Sequence, residues 1–250
     1  MGSFDVEHYL MEVRLRRERV ACFGAYPFVL PVLQQFQCLE LHPSVTFLVG
    51  ENGSGKSTLL EAVATAWGFN PEGGGKNFRF STRSSHSALH EYLRLCRTFR
   101  RPKDGFFLRA ESFFNVATEI EQLDQGPGGP PIIDSYGGIS LHEQSHGESF
   151  FSLMTHRFRG EGFYVLDEPE AALSPARQLA MLRRLHELVQ QRSQFIIATH
   201  SPILLSYPEA WIYQIGVQGL ERVRYEDTEH YQLTRSFLNN PQSYLHNVLG

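Results

Sequence analysis

Hydrophobic and polar positions divide the chain into short apolar runs that alternate with segments of helical period. A loosely alternating stretch at 9–23 reads as an early strand, broken by Gly24 and Pro27. Short apolar runs at 28–32 and 36–41 lead to an unbroken apolar run at 45–49. Such a run, bounded by turn residues, predicts a strand buried on both faces. Leu59, Leu60, Val63, Ala64 and Trp67 then recur at helical spacing, and Gly68 stands where a left-handed residue can end the helix. A turn rich in glycine follows at 70–76.

Residues 81–159 are more polar and less regular. Their pattern predicts a helix near 88–99, a strand near 106–112, a helix near 114–123 and a loop, GPGGPP, at 126–131. Buried strands return at 162–166 and 195–198. Between them Ser174 and Pro175 are placed as the cap and first residue of a helix, with Leu179, Leu182, Leu185 and Val189 on its apolar face. Short buried strands alternating with helices predict an α/β core with parallel strands.

A chain of 250 residues fits one large domain, or a core with a modest subdomain. Its 42% hydrophobic content is ample for a buried core. The net charge of −4 argues against a generally basic, nucleic-acid-binding surface. Three cysteines, Cys22, Cys38 and Cys96, are widely spaced without a CxxC pair, as expected of reduced thiols. The first twenty residues lack the apolar centre of a signal peptide, and no run is long enough to span a membrane. The expectation is a soluble, cytoplasmic protein.

The candidate chemistry begins at the end of the 45–49 strand. Gly50, Glu51, Asn52, Gly53, Ser54, Gly55, Lys56 and Ser57 complete a GxxxxGK[ST] loop between a strand and a helix. Its glycines let successive N–H groups turn toward a phosphate, and the helix N-terminus adds a favourable dipole. Lys56 can reach the outer phosphates, and the Ser57 hydroxyl can ligate Mg²⁺. Four apolar residues at 163–166 end in Asp167 and Glu168. Asp167 is placed to hold Mg²⁺ through water, and Glu168 to orient or deprotonate an attacking water. His200 ends the next buried strand, where it could hydrogen-bond a γ-phosphate. Ser145, Gly147 and Glu148 precede an apolar segment, a pattern shared by a second anion site and by an ordinary capped helix.

Taken in order, GENGSGKST, QSHGES, YVLDEPEAALSP and IIATHSP resemble the ATP-binding-cassette (ABC) ATPase superfamily. More narrowly, the chain resembles a compact AAA branch related to the SMC, recombination-repair and overcoming-lysogenization-defect ATPases. The resemblance runs over 45–202. It implies a P-loop NTPase of the α/β class, with a mainly parallel core sheet flanked by helices, an N-terminal antiparallel β portion and a small helical lobe. The nucleotide-binding core would comprise 1–80 and 160–250, and the helical signature lobe 81–159. Gly50 through Thr58 match Walker A, Asp167 and Glu168 Walker B, 171–174 the D-loop, and His200 the switch histidine. Ser145, Gly147 and Glu148 match the signature, which in the family completes the ATP site of the opposite subunit. The implied cofactors are ATP and Mg²⁺, and the implied assembly is an ATP-dependent homodimer acting on nucleic acid or a protein partner.

Departures from the family pattern are local. His146 replaces a signature glycine, and no Q-loop glutamine follows the 106–109 strand, where Glu111 and Ser112 stand. That absence, with the altered signature, weighs against a membrane-transporter partner. Tyr26 or Phe28 could stack on adenine, or either could be core. About seventy residues without heptads separate the Walker A helix from the signature, too few for coiled-coil arms. Arg94, Arg97, Arg100, Arg101 and Lys103 cluster at partly helical spacing, as a solvated face or as a contact for nucleic acid or an acidic partner. The polar, aromatic tail at 225–231 precedes a helix-like segment that packs on the surface, folds over the ATP site or makes a partner contact.

Overall fold

The computed structural model describes residues 8–75, 87–125, 131–216 and 219–249. In chain order its strands are β1 (Leu10–Leu15), β2 (Cys38–Glu40), β3 (Val45–Gly50), β4 (Leu93–Arg97), β5 (Asp104–Arg109), β6 (Gly162–Asp167), β7 (Gln194–Ala198), β8 (Trp211–Gly216) and β9 (Gly219–Val223). Its helices are α1 (Pro31–Gln34), α2 (Lys56–Trp67), α3 (Phe113–Asp124), α4 (His146–Ser152), α5 (Pro175–Gln190), α6 (Pro202–Leu205), α7 (Glu229–Asn239) and α8 (Pro241–Leu249).

The main sheet has the order β5-β6-β7-β3-β8-β9. Every pairing in it is parallel except the last, a hairpin of β8 and β9. Helices cover both faces, so the central strands are apolar throughout, and their side chains alternate between two cores. Phe47, Phe106, Tyr164, Phe195 and Ile197 point to the core shared with α3, α4, α5 and α6. Leu48, Phe107, Phe163, Val165 and Ile196 point to the other, shared with α2 and the small sheet. That small sheet, β2-β1-β4, is antiparallel.

Gln194 splices the two sheets. Its Oε1 accepts from the Tyr9 and Leu10 amides, both at 3.0 Å, and its Nε2 donates to the Leu10 and His42 carbonyls at 2.8 and 3.0 Å. The carboxamide satisfies four backbone groups that no ladder reaches.

Three sequence expectations change. The helix near 88–99 is instead a 3-10 turn, Ala88–Tyr92, followed by β4. Pairing with β1 along five residues overrides the helical spacing there, so the arginine cluster is not a helix face. Arg97 lies over the Trp67 ring and donates to the Ala66 carbonyl. On α5 the buried residues are Met181, Leu185 and Leu188, whereas Leu179 is 60% exposed. The sheet is met by the face one step further round the helix. Within 81–159, β4 and β5 belong to the two sheets. The helical part is α3, α4, a 3-10 turn at Ile132–Tyr136 and a π-helical turn at Leu153–Arg157. Residues 126–130 of the GPGGPP loop, and the side chain of His146, lie outside the described ones.

Candidate active site

Three neighbouring parallel strands, β6, β7 and β3, end at one edge of the sheet. In open α/β sheets that carboxyl edge is where ligands bind. From β3 the chain turns through Gly50–Gly55 into α2. Gly55 has φ +96°, and a Cβ there would lie 2.7 Å from Val32 Cγ1. Only glycine fits that turn against α1. The same helix start holds the loop through Val32 N–H donating to the Ser54 carbonyl at 3.1 Å.

Lys56 opens α2 and is only 4% exposed. Its Nζ donates to the Gly50 and Glu51 carbonyls at 2.7 and 3.1 Å. Burial lowers its pKa, and the nearby carboxylates of Glu168 and Asp167 oppose that shift. The first amides of α2 have no intrahelical acceptor, and among the described residues the Ser54 hydroxyl is buried without a partner. Cationic, donor-rich and closely walled, the loop suits a phosphate group.

Ser57 Oγ donates to Asp167 Oδ1 at 3.0 Å, which joins α2 to the end of β6. Asp167 is 4% exposed, and burial raises its pKa to about 7 against the pull of Ser57 and Arg109. Arg109 ends β5 in register with Asp167 and pairs with Glu61 of α2 at 2.5 Å and with Glu111 at 3.0 Å.

Glu168 has φ +51°, an uncommon conformation for a non-glycine residue, held by its N–H donating to the Ala198 carbonyl at 2.9 Å. Its carboxylate lies 3.5 Å from His200 Nε2. The His200 N–H donates to Glu170 Oε1 at 2.6 Å, and His200 Nδ1 is 2.9 Å from Nε2 of His230 on α7. Burial raises the Glu170 pKa, offset by donors from His200 and Thr199.

Ser145 caps α4, and its amide and hydroxyl both donate to Glu148 Oε2, at 3.1 and 2.7 Å. These donors hold the Glu148 carboxyl below its usual range. A Cβ on Gly147 would lie 2.7 Å from the Ala172 carbonyl, so the backbone at the start of α4 is seated on the same chain's 171–174 turn. Among the described residues no hydrogen bond joins Ser145 or Glu148 to the 50–57 loop.

The structure thus gathers Lys56, Ser57, Asp167, Glu168 and His200 at one edge and leaves Ser145, Gly147 and Glu148 on α4. Phe28 is a core residue, edge-on to Tyr92, while Tyr26 is 64% exposed. Ser112 donates to the Glu72 carbonyl, and Glu111 pairs with Arg109. Sequence reading passes over Arg109, Glu170 and His230. Glu170 had a signal, two positions beyond Glu168 in DEPE. His230 had only a polar tail, because its place depends on α7 docking. That helix buries no residue fully, as a surface helix should, yet its first turn reaches the site.

A model of the AAA ATPase domain family matches residues 84–205, and an AAA domain model matches 21–122. The chain is similar in structure to cbiO1 from Clostridium perfringens, part of the ABC transporter complex cbiONQ. That match has 16% identity, covers 94% of this chain and 97% of that one, and has a TM-score of 0.51. It is also similar to the SMC head domain from Thermotoga maritima, at 16% identity over 86% of this chain and 98% of that one, with a TM-score of 0.43. At such identity the likeness is one of fold. No curated protein gives a significant match. Among the described residues, no helix is long and apolar enough to cross a membrane. By its two matched domain models the chain is similar to AAA ATPase domains, and its mainly parallel sheet flanked by helices is that of a P-loop NTPase.

Proposed function

We propose that this chain binds ATP with Mg²⁺ and hydrolyses it, and that two copies close head to tail around two nucleotides. The observation that carries the reading is the 3.0 Å contact of Ser57 Oγ with Asp167 Oδ1. A hydroxyl at a phosphate-loop helix and a carboxylate at a neighbouring strand end form a hard oxygen set suited to Mg²⁺. When bound, the ion would neutralise charge on the phosphate oxygens. Gly50 through Thr58 hold the phosphates, with Lys56 on the outermost.

Glu168, 40% exposed at its side chain, can take a proton from the attacking water. The water oxygen then bonds to the γ-phosphorus as the bond to the bridging oxygen breaks. His200, between Glu168 and Glu170, would hydrogen-bond the transferred group. Ser145, Gly147 and Glu148 would serve the opposite subunit's nucleotide, a reading supported by Ser145 and Glu148 making no hydrogen bond with their own phosphate loop among the described residues. Opening and closing of the pair would be the output, delivered to nucleic acid or to a protein partner. After β5 stand Glu111, salt-bridged to Arg109, and Ser112, with no Q-loop glutamine, which weighs against a membrane partner.

The test compares ATP turnover of the parent with Glu168→Gln, alone and with single- and double-stranded DNA. Equal rates in the two proteins would end the hydrolysis reading. Light scattering on Glu168→Gln with saturating ATP should show a dimer. A persistent monomer would reject head-to-tail closure.

A further inference from the structure

His230 lies 30 positions beyond His200 and meets it end to end. His230 Nε2 is 2.9 Å from His200 Nδ1, with ring centroids 5.1 Å apart. Little freedom remains at the base of His230. Thr228, fully buried, caps α7 by accepting from the Tyr231 amide, and the Glu229 amide donates to the Gln214 side chain of β8.

One proton lies between the two facing nitrogens, and the other ends of the rings decide whose it is. Among the described residues, His230 Nδ1 is buried without a hydrogen-bond partner. His200 Nε2 is also buried and without a hydrogen-bond partner, and it lies 3.5 Å from a Glu168 carboxylate oxygen. If His200 supplied the proton, its Nε2 lone pair would face that carboxylate, and His230 would bury an N–H with no acceptor. If His230 supplies it, His200 turns an N–H toward Glu168, and His230 is left with a bare ring nitrogen. An unmet buried donor is the rarer and costlier defect. Both ends favour the second arrangement.

We infer that His230 is a positioning residue: its Nε2–H donates to His200 Nδ1 and fixes His200 as the Nε2–H tautomer, a donor aimed at Glu168 and the transferred phosphoryl group. The tautomer of a catalytic histidine is commonly set by the bond its other nitrogen makes. Keeping His230 uncharged serves this role. Burial first, then the neighbouring His200 and Lys56, lowers its pKa, and its place in the first turn of α7 also disfavours a cation. The catalytic half of the inference rests on the ATPase reading above, whereas the tautomer does not.

The experiment uses the full chain. Imidazole ¹⁵N–¹H correlation spectra of the ligand-free parent, assigned with His200→Gln and His230→Gln, should show His200 protonated at Nε2 and bare at Nδ1. The reverse tautomer would overturn the inference whether or not the protein hydrolyses ATP. In turnover, His230→Phe should lower kcat by about 10–100-fold, the loss typical of removing an orienting partner, with KM for ATP little changed. His230→Gln can place an amide N–H near the same point and should recover most of that loss. Parental kcat in a folded His230→Phe would overturn the inference. A folded His230→Gln as slow as His230→Phe would overturn it too. If the parent has no ATPase activity, the function proposed above fails, and the spectra still decide the tautomer.

Discussion

Ser57 and Asp167 stand 110 positions apart and meet through one hydrogen bond of 3.0 Å. The sheet makes that contact possible: β7 lies between β3 and β6, so the first turn of α2 reaches past the end of β7. Replacing Ser57 by Ala leaves Asp167 buried without its hydroxyl donor. We expect a loss of about 1–3 kcal/mol in urea unfolding of the nucleotide-free protein. Calorimetry should also show ATP affinity becoming nearly independent of Mg²⁺.

Glu168 is held in a left-handed conformation that suits glycine better. Glu168→Gly should therefore raise unfolding stability by about 1 kcal/mol. Under the function proposed above, in which Glu168 is the base, turnover should fall at least about 100-fold. Opposite signs in the two measurements are the signature of strain stored at a working residue. Equal or lower stability in the glycine variant would deny the strain.

Gly147 leaves no room for a side chain beside the Ala172 carbonyl. Gly147→Ala must move α4 off the 171–174 turn, which should cost about 1–3 kcal/mol by overpacking. ATP binding to the isolated chain should persist, because Lys56 and Ser57 are untouched. ATP-dependent dimerisation should be lost, as gel filtration of Gly147→Ala in the Glu168→Gln background would reveal.

Gln194 serves four backbone groups across two sheets. Gln194→Leu keeps similar bulk and abandons all four, so we expect about 2–4 kcal/mol of lost stability in denaturant unfolding. Hydrogen exchange at the Tyr9 and Leu10 amides should quicken first.

Asp104 supplies a pH-dependent contribution far from the site. Burial pushes its pKa up, but Arg157, the Arg159 amide and the Tyr164 hydroxyl outweigh burial and hold it below the usual range. The folded pKa is thus lower than the unfolded one. Its stabilisation is present above the unfolded value of about 3.9 and lost as pH falls through the folded value. Thermal melts of the parent and Asp104→Asn should differ at pH 7 and converge as pH falls through the folded value. A gap that stays constant on acidification would reject the assignment.

The sequence by itself determined the elements whose signals are local. The apolar runs of β3, β6 and β7, the cap at Ser174 and the stop at Gly68 were legible because burial on both faces and helix ends leave marks within a few residues. The placing of the 50–57 loop between β3 and α2, and of Asp167 at the end of β6, was legible for the same reason. Tertiary structure decided the rest. Leu93 to Arg97 became a strand only because β1 offered an unpaired edge, and α5 turned Leu179 outward because Met181, Leu185 and Leu188 face the sheet. Arg109 meets Glu61 through the alignment of β5 with α2, and His230 meets His200 through the docking of α7. Such contacts join residues distant in sequence, and no local pattern encodes which of many polar side chains the packing will bring together.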